Sequence, residues 1–333
     1  ELPRDIMDED DSQWTTIGSP KKPQGPRVES SAKTFDVVQL DGLVIMKIIK
    51  HCKEALPDMV TGQLLGIDVD TTLEVTNCFP FITRSVEEED GAEDEGEYYQ
   101  VKSLACLREV NVDYNTVGWY LSTYLGTFID SHTVETQFNY QENLRTAVCL
   151  VYDPMRTTRG NLFLRAYRLT ASFMELYRGN KFTQAELNRL RFTDNDIFEE
   201  VPIRIHNPLL IDALLTEWEG EESLHCTFDC LDLSTNPFLE RNLECLLECV
   251  DDLAHEQAKH EFFKRKRQQM GQMQRRRREE GGALEDESKL VPEPSRLESL
   301  LISNQVNTYC DQINKFAGQS FGKLFLMQRL HDE

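Results

Sequence analysis

Two hydrophobic periods alternate along the first half of this chain. Short apolar and β-branched runs predict strands at FDVVQL, TGQLLGID, TTLEVTNCFPF, VGWYLST, AVCLVYDP and GNLFLRAYRLT. Between them, apolar residues spaced three or four apart predict helices after Asp41, over 98–110 and from about 130–131. This alternation predicts an α/β (α+β) fold, in which a mixed central sheet over residues 35–170 is flanked by helices.

Two local features of this domain can be predicted in more detail. The helix after Asp41 is expected to bury Leu43, Met46, Ile49 and Cys52, which recur about one turn apart. The runs TGQLLGID and TTLEVTNCFPF, separated by a short turn, predict a hairpin of central strands.

The pattern changes after residue 170. Residues 171–235 predict an extended piece, a turn at Asn207 and Pro208, and a short helix. Residues 236–280 predict one long helix whose apolar seam repeats at intervals of four and three, which is typical of helices that pair. The predicted partner-binding residues of this seam are Leu239, Leu243, Leu246, Val250 and Leu253.

The segment 295–333 predicts a second long helix with a broad apolar surface. Such a surface is not expected to stay in water. Two outcomes are open: the helix packs back on the domain, or it enters a helical bundle with other proteins. The residues predicted to bind a partner are Ile302, Val306, Tyr309, Ile313, Phe316, Leu324 and Met327.

Three stretches have the composition of solvated segments. They are an acidic and polar tail over 1–34, an acidic loop over 85–97 and a linker over 281–294. Few apolar residues and blocks of like charge leave little surface to bury, so no packed core is expected there.

The formal net charge of −22 over 333 residues argues against a general nucleic-acid-binding protein. One basic run within the long helix departs from this balance. A solvated helical linker and an RNA contact are both compatible with it, because clustered Lys and Arg neutralise phosphates. The candidate RNA-contacting residues are Lys264, Arg265, Lys266, Arg267, Arg275, Arg276, Arg277 and Arg278.

The nine cysteines do not form a disulfide pattern. Cys226 and Cys230 precede Cys245 and Cys249, with His225 nearby, but no CxxC sequence occurs, so buried reduced thiols are favoured over a zinc cluster. No apolar run reaches the roughly 18 residues of a membrane span, and the first residues are unlike a signal peptide. A cytoplasmic protein is expected.

The stretch TVGWYLSTYLGTFIDSHTVETQ has the spacing of a metal site without its ligands. Leu121 and Thr123 lie on one face of the predicted strand, where side chains two apart point the same way. Zinc needs imidazole, thiolate or carboxylate donors, and neither residue supplies one. No metal and no cofactor are therefore expected here.

This stretch, GWY-x-S-x followed by a Ser-led helix, resembles the MPN (JAMM) metalloprotease-like family. Active members, which remove ubiquitin-like modifiers, have two histidines, a Ser-x-x-Asp sequence and a distant glutamate. The resemblance places Leu121 and Thr123 at the histidine positions, Val134 at the aspartate and Met59 at the glutamate. Only Ser131 is retained, and serine is a favoured helix N-cap in any case. The resemblance therefore implies that the protein is not an enzyme.

A wider resemblance extends from about residue 36 to the C-terminus. QLDGLVIMKIIKH, LEVTNCFPF, FEEVPI and SLLISNQVNTYCDQINKFAGQSFGKLF resemble the non-catalytic MPN subunits of eukaryotic translation initiation factor three. This implies that residues 171–235 extend the MPN domain. It also implies a scaffold role in a PCI-MPN assembly that recruits initiator components and mRNA to the small ribosomal subunit. The implied partners are the PCI subunits and the other MPN subunit, designated F. The alternatives are a JAMM-type deubiquitinase and a non-catalytic MPN subunit of the proteasome lid or signalosome.

Overall fold

A computed structural model describes residues 35–81, 92–110, 112–157, 162–219, 237–279 and 294–332. The strands are β1 Val37–Asp41, β2 Thr61–Val69, β3 Thr72–Pro80, β4 Thr116–Ser122, β5 Val148–Tyr152, β6 Leu164–Leu169, β7 Phe198–Val201 and β8 Ile203–His206. The helices are α1 Gly42–Glu54, α2 Ala92–Glu109, α3 Ser131–Asn143, α4 Pro154–Thr157, α5 Ala171–Gly179, α6 Gln184–Leu190, α7 Leu209–Glu219, α8 Pro237–Glu279 and α9 Leu297–Asp332.

The strands form one mixed sheet in the order β7-β6-β5-β4-β2-β3-β1-β8. β1 pairs in parallel with β3 and β8, and β4 pairs in parallel with β5. The other pairs, including the predicted β2–β3 hairpin, are antiparallel. Helices flank this sheet, so the predicted fold class is confirmed.

The two edges of the sheet are connected by one short extended segment. β7 pairs with β6 at one edge and β8 pairs with β1 at the other, yet only Pro202 separates β7 from β8. The Val38 N–H donates to the Pro202 carbonyl at 3.0 Å. The sheet must therefore curl until its edges approach each other. Both edge strands come from the predicted extension 171–235, so a boundary at residue 170 cuts through the sheet.

The sheet and α1 share the first core cluster, which includes Val38, Leu40, Leu64, Val75 and Leu150. The buried face of α1 differs from the prediction. Val44, Ile45, Ile48 and Cys52 are buried, whereas Leu43 and Met46 are exposed. Both stripes of this helix are apolar, and contact with the sheet selects the one that includes Val44.

Helix α2 begins at Ala92, six residues before the predicted start, so the second part of the predicted acidic loop is helical. The long helices α8 and α9 pack against each other. None of the helices in the described ranges is both long enough and apolar enough to cross a membrane. The predicted tail 1–34, most of the acidic loop and nearly all of the predicted linker lie outside the described residues.

Candidate functional site

The Gly-Trp-Tyr sequence of β4 has structural roles. A Cβ built on Gly118 would lie 2.0 Å from the carbonyl oxygen of Val148 on β5. Glycine therefore allows the two strands to pair at this point. The Trp119 Nε1–H donates to the side-chain oxygen of Gln137 on α3 at 2.8 Å. These contacts fix β4 between its neighbouring strand and α3.

Gln137 belongs to a buried amide network that the sequence analysis missed. Its Nε2 donates to Gln141 Oε1 at 3.0 Å and to the Ala147 carbonyl at 3.2 Å. Gln141 in turn bonds the Leu169 backbone N–H and carbonyl at 2.6 and 3.1 Å. Buried polar groups are tolerated when they are paired, and a paired network fixes one packing arrangement. The four-residue spacing of the two glutamines in α3 was the available signal.

We call Met59, Leu121, Thr123, Ser131 and Val134 the β4 site. The structure buries Leu121, Thr123 and Val134 and leaves Met59 60% exposed just before β2. Leu121 and Val134 belong to different core clusters. Ser131 is the first residue of α3 rather than its cap. The cap is Asp130, whose carboxylate accepts from the Ser131 N–H at 2.7 Å.

These residues do not fit a zinc ion. Leu121 and Val134 have no donor atom, and Thr123 offers a neutral hydroxyl where zinc prefers imidazole, thiolate or carboxylate. Across the ranges that the structure describes, no three His, Cys, Asp or Glu side chains are grouped so that they could hold a metal. The β4 site therefore has no imidazole, thiolate or carboxylate with which to hold zinc.

Helix α9 covers the loop that leaves β4. The Gly126 carbonyl accepts from Gln305 Nε2 at 2.9 Å, and the hydroxyls of Thr127 and Tyr309 lie 2.6 Å apart. Gly126 has a φ of +80°, and a Cβ there would lie 2.6 Å from Gln312 Nε2. The backbone conformation favours glycine here, whereas the Gln312 side-chain end could shift to admit a Cβ. Tyr309, predicted to bind a partner, is instead buried against this loop.

Several polar atoms near this contact are buried. Thr123 Oγ1, Asp153 Oδ2 and both side-chain polar atoms of Gln312 have no hydrogen-bond partner among the described residues. Asp153 Oδ1 accepts from the backbone N–H groups of Met155 and Arg156 at 3.0 and 3.3 Å. Burial raises the pKa of Asp153 to about 6. Removing the carboxylate from water disfavours its charged form, which explains the direction of this shift.

The first half of α9 packs on the domain and the second half does not. Leu301 is 2% exposed and lies in one core cluster with Val134. We call residues 320–332 the α9 tip. Its large exposed apolar side chains are Phe321, Leu324, Phe325, Leu326, Met327 and Leu330. The first half thus packs back on the domain, and for the α9 tip a helical bundle with other proteins stays a prediction.

The other predicted partner-binding residues differ in exposure. Leu243 and Val250 on α8, and Leu324 and Met327 on α9, are exposed. The following are half-buried: Leu239, Leu246, Leu253, Ile302, Val306, Ile313 and Phe316. The half-buried set is compatible with the α8–α9 contact, which leaves the exposed residues available to other chains.

Helix α7 also exposes an apolar surface, which the sequence analysis did not predict. Leu209 and Leu210 are 87% and 86% exposed, and Trp218 is 62% exposed. Residues this apolar are unusual on the surface when they are contiguous, and such patches mark interaction sites.

The cationic candidates and two of the four candidate cysteines lie on α8. Residues 264–267 of the basic run are exposed. Cys245 and Cys249 are half-buried free thiols. Cys226, Cys230 and His225 lie outside the described residues.

Comparison with known families divides the chain into two matched parts. Residues 33–145 match the family model described as JAB1/Mov34/MPN/PAD-1 ubiquitin protease. Residues 157–333 match the model described as the C-terminal region of eIF3h. The first match agrees with the mixed sheet and includes the β4 site. The second match spans α8 and α9.

Individual relatives agree with these matches. The chain is 49% identical over 323 residues to the H subunit of eukaryotic translation initiation factor 3 from Arabidopsis thaliana, covering 91% of the chain and 95% of the relative. It is 46% identical over 308 residues to the corresponding protein of Dictyostelium discoideum, with coverages of 90% and 96%. For the corresponding protein of Nematostella vectensis, identity is 39% over 323 residues, with coverages of 91% and 97%.

Proposed function

Because this chain belongs to the eIF3h family, the H subunits of eukaryotic translation initiation factor 3, it is a subunit of a translation initiation complex, and we propose that its role there is structural. In this proposal the chain is a non-catalytic scaffold that supports assembly of the factor. Through the factor it supports recruitment of initiator components and mRNA to the small ribosomal subunit in the cytoplasm.

The β4 site supports the non-catalytic half of the proposal. A metalloprotease needs a bound ion, an activated water and a general base with access to substrate. Leu121, Thr123 and Val134 are buried and offer no charged donor, and α9 packs over the loop that leaves β4. The single observation that carries the proposal is this cover. The helix contacts the loop that directly follows Leu121 and Thr123, the two positions that the resemblance assigns to metal ligands.

The α9 tip and α7 support the assembly half of the proposal. Both expose leucine and aromatic side chains that a folded protein ordinarily buries. A helix with apolar residues on several sides suits a bundle in which more than one neighbour covers it. We propose that the PCI subunits and the other MPN subunit, designated F, supply those neighbours.

Assembly can be tested with paired substitutions in the α9 tip. Phe321→Glu with Phe325→Glu removes two exposed rings, which are 71% and 63% accessible. Gln319→Glu with Gln328→Glu is the matched control, because it adds the same charge to the same helix without removing an apolar group. Tagged chains are expressed in cells, and the co-purifying subunits are quantified by mass spectrometry. We expect the Phe variant to lose the other subunits by at least tenfold and the control to retain them.

The result that would contradict this proposal is retention of all subunits by the Phe variant. The substitutions are preferable to deleting residues 295–333, because that deletion would also remove buried residues such as Leu301 and Tyr309. Both variants should melt within a few degrees of the wild type, which separates lost assembly from lost folding.

The non-catalytic half has its own test. The purified chain is analysed for zinc and incubated with ubiquitin chains beside an active member of the MPN family. We expect substoichiometric zinc and no cleavage. Stoichiometric zinc together with cleavage would overturn this half while leaving the assembly result unaffected.

A further inference from the structure

One segment of α8 has a charge opposite to that of the whole chain. We call residues 264–278 the basic segment. It contains eight Lys or Arg residues and no acid, within a chain of net charge −22. The cations form two groups of four, KRKR at 264–267 and RRRR at 275–278, separated by the uncharged sequence QQMGQMQ.

The two groups have a fixed spacing because α8 is helical through Glu279. Eleven residues separate the first positions of the two groups. On an α-helix this is a rise of about 16 Å and about three full turns, with an offset of roughly 20°. The backbone therefore places the second group almost directly above the first. Within each group, successive positions are about 100° apart, so the four positions surround most of the helix.

The described contacts give the first group little role in the fold. Residues 264–267 are all exposed. Arg265 forms an ion pair with Glu261 at 3.2 Å, and both side chains are highly exposed. No ion pair is found for Lys264, Lys266 or Arg267 within the part of the chain that the structure describes. Like charges three or four residues apart destabilise a helix, so this sequence disfavours its own conformation without a counter-charge.

We propose that the basic segment binds RNA, with the two groups contacting phosphates along one groove or one folded strand. Lys and Arg neutralise phosphates and release counterions, and Arg can donate two parallel hydrogen bonds to one phosphate. The glutamines of the spacer add neutral donors and acceptors that suit ribose and base edges. Binding would also relieve the repulsion between neighbouring cations.

The arrangement favours RNA over an acidic protein surface. An acidic patch on a folded protein faces a helix from one side, so it is matched by cations on one stripe. Here the cationic positions surround the helix, which matches a groove with phosphates on both sides. Membership of a translation initiation complex places the chain close to RNA, but this proposal does not depend on the α9 tip contacts.

The test uses the full chain and a fluorescein-labelled RNA hairpin with an internal bulge. Anisotropy titrations are run from 50 to 300 mM KCl with the wild type and three variants. One variant replaces residues 264–267 by Gln, and a second replaces residues 275–278 by Gln. The matched control carries Lys50→Gln, Lys53→Gln, Lys181→Gln and Arg189→Gln, which removes four exposed cations elsewhere.

We expect each group variant to bind at least tenfold more weakly at 150 mM KCl. The slope of log K against log[KCl] should become less negative by about 3, because each of the four lost phosphate contacts contributes about 0.7 to 0.9 to its magnitude. The control should stay within about threefold of the wild type, because neutralising four distant cations lowers only the long-range attraction. Replacing the Arg residues of 275–278 by Lys should preserve most of the slope.

Two results would overturn the proposal. One is an equal loss in the control and the group variants, which would show that only total charge matters. The other is competition by poly-glutamate as effective as competition by unlabelled RNA, which would indicate an acidic protein partner. Subunit co-purification of the group variants should match the wild type, so failure here is distinguishable from failure of the assembly proposal.

Discussion

At the scale of single residues, the glycine of the Gly-Trp-Tyr sequence, Gly118, is required for β4 to pair with β5. A Cβ at this position would approach the Val148 carbonyl to 2.0 Å, and a main-chain atom of a central strand cannot move aside cheaply. We expect Gly118→Ala to destabilise the protein by roughly 3 kcal/mol, at the upper end of overpacking costs. Urea unfolding followed by circular dichroism measures this change.

Gly271 provides the control for that substitution. It lies within α8, and an added Cβ there meets no atom within 4 Å. Gly271→Ala should be neutral or stabilising by up to about 1 kcal/mol, because alanine favours a helix over glycine. Equal effects at the two glycines would contradict the close contact between β4 and β5.

Asp153 predicts a pH dependence of folding. Burial raises its pKa from an ordinary 3.8 to about 6. Between about pH 4 and pH 6 the folded chain therefore holds a proton that the unfolded chain has lost. Stability should fall as the pH rises through this window, and the penalty above pH 6 is roughly 3 kcal/mol for a shift of about two pKa units.

Asp153→Asn tests this dependence, because the amide keeps an acceptor for the Met155 and Arg156 N–H groups and cannot ionise. The variant should lose the decline between pH 4 and 6 and be more stable than the wild type at pH 7.5. Asp68→Asn, at an exposed position on β2, is the control and should keep the wild-type slope. Thermal unfolding at several pH values measures both. An unchanged slope in Asp153→Asn would rule out this carboxyl as the cause.

The environment of a single side chain was predictable only where the alternation of a strand fixes the side of the sheet to which it points. Trp119 and Leu121, two residues apart on β4, belong to one core cluster, as period two requires. Tyr309 was assigned to a partner surface because its spacing fits a seam, yet it packs on a loop that lies 182 residues away in sequence. Sequence periodicity identifies an apolar face but does not reveal what covers it.

At the scale of elements, α9 is divided into a packed half and a free half. Leu301→Ala should destabilise the chain by about 2 to 4 kcal/mol, as large-to-small substitutions in a core do. Leu330→Ala, at a position 59% exposed on the same helix, should change stability by less than about 0.5 kcal/mol. Chemical denaturation of the isolated chain compares the two. Similar effects at both positions would contradict the division of the helix.

Strands and long helices were predictable because each carries its own period over many residues. The hairpin β2–β3, strand β4, the start of α3 and the two long helices follow the sequence pattern closely. The recruitment of β7 and β8 to opposite edges was not predictable, since it depends on pairing between distant strands. Thr183 and Glu186 have the spacing of a capping box, but Thr183 makes no side-chain cap hydrogen bond, and a capping box forms at Thr193 with Asp196 instead. Both sequences fit the pattern, and the surrounding packing selects one.

At the scale of the whole molecule, the β4 site packs within the domain and the first half of α9 packs on the loop next to it. Replacing ligands by Leu121, Thr123 and Val134 makes the site a surface that packs within the chain. The first half of α9 then covers the neighbouring loop and directs the α9 tip away from the domain contacts. This account predicts that partners contact the tip and leave the β4 site unchanged.

Hydrogen exchange of the free chain and of the assembled factor is the most direct test of that account. Amides of residues 320–332 should exchange rapidly in the free chain and gain protection on assembly, since an uncovered helix end opens readily. Residues 123–129, already covered by α9, should show the same protection in both states. Unchanged exchange at 320–332, or a change confined to 123–129, would contradict the account.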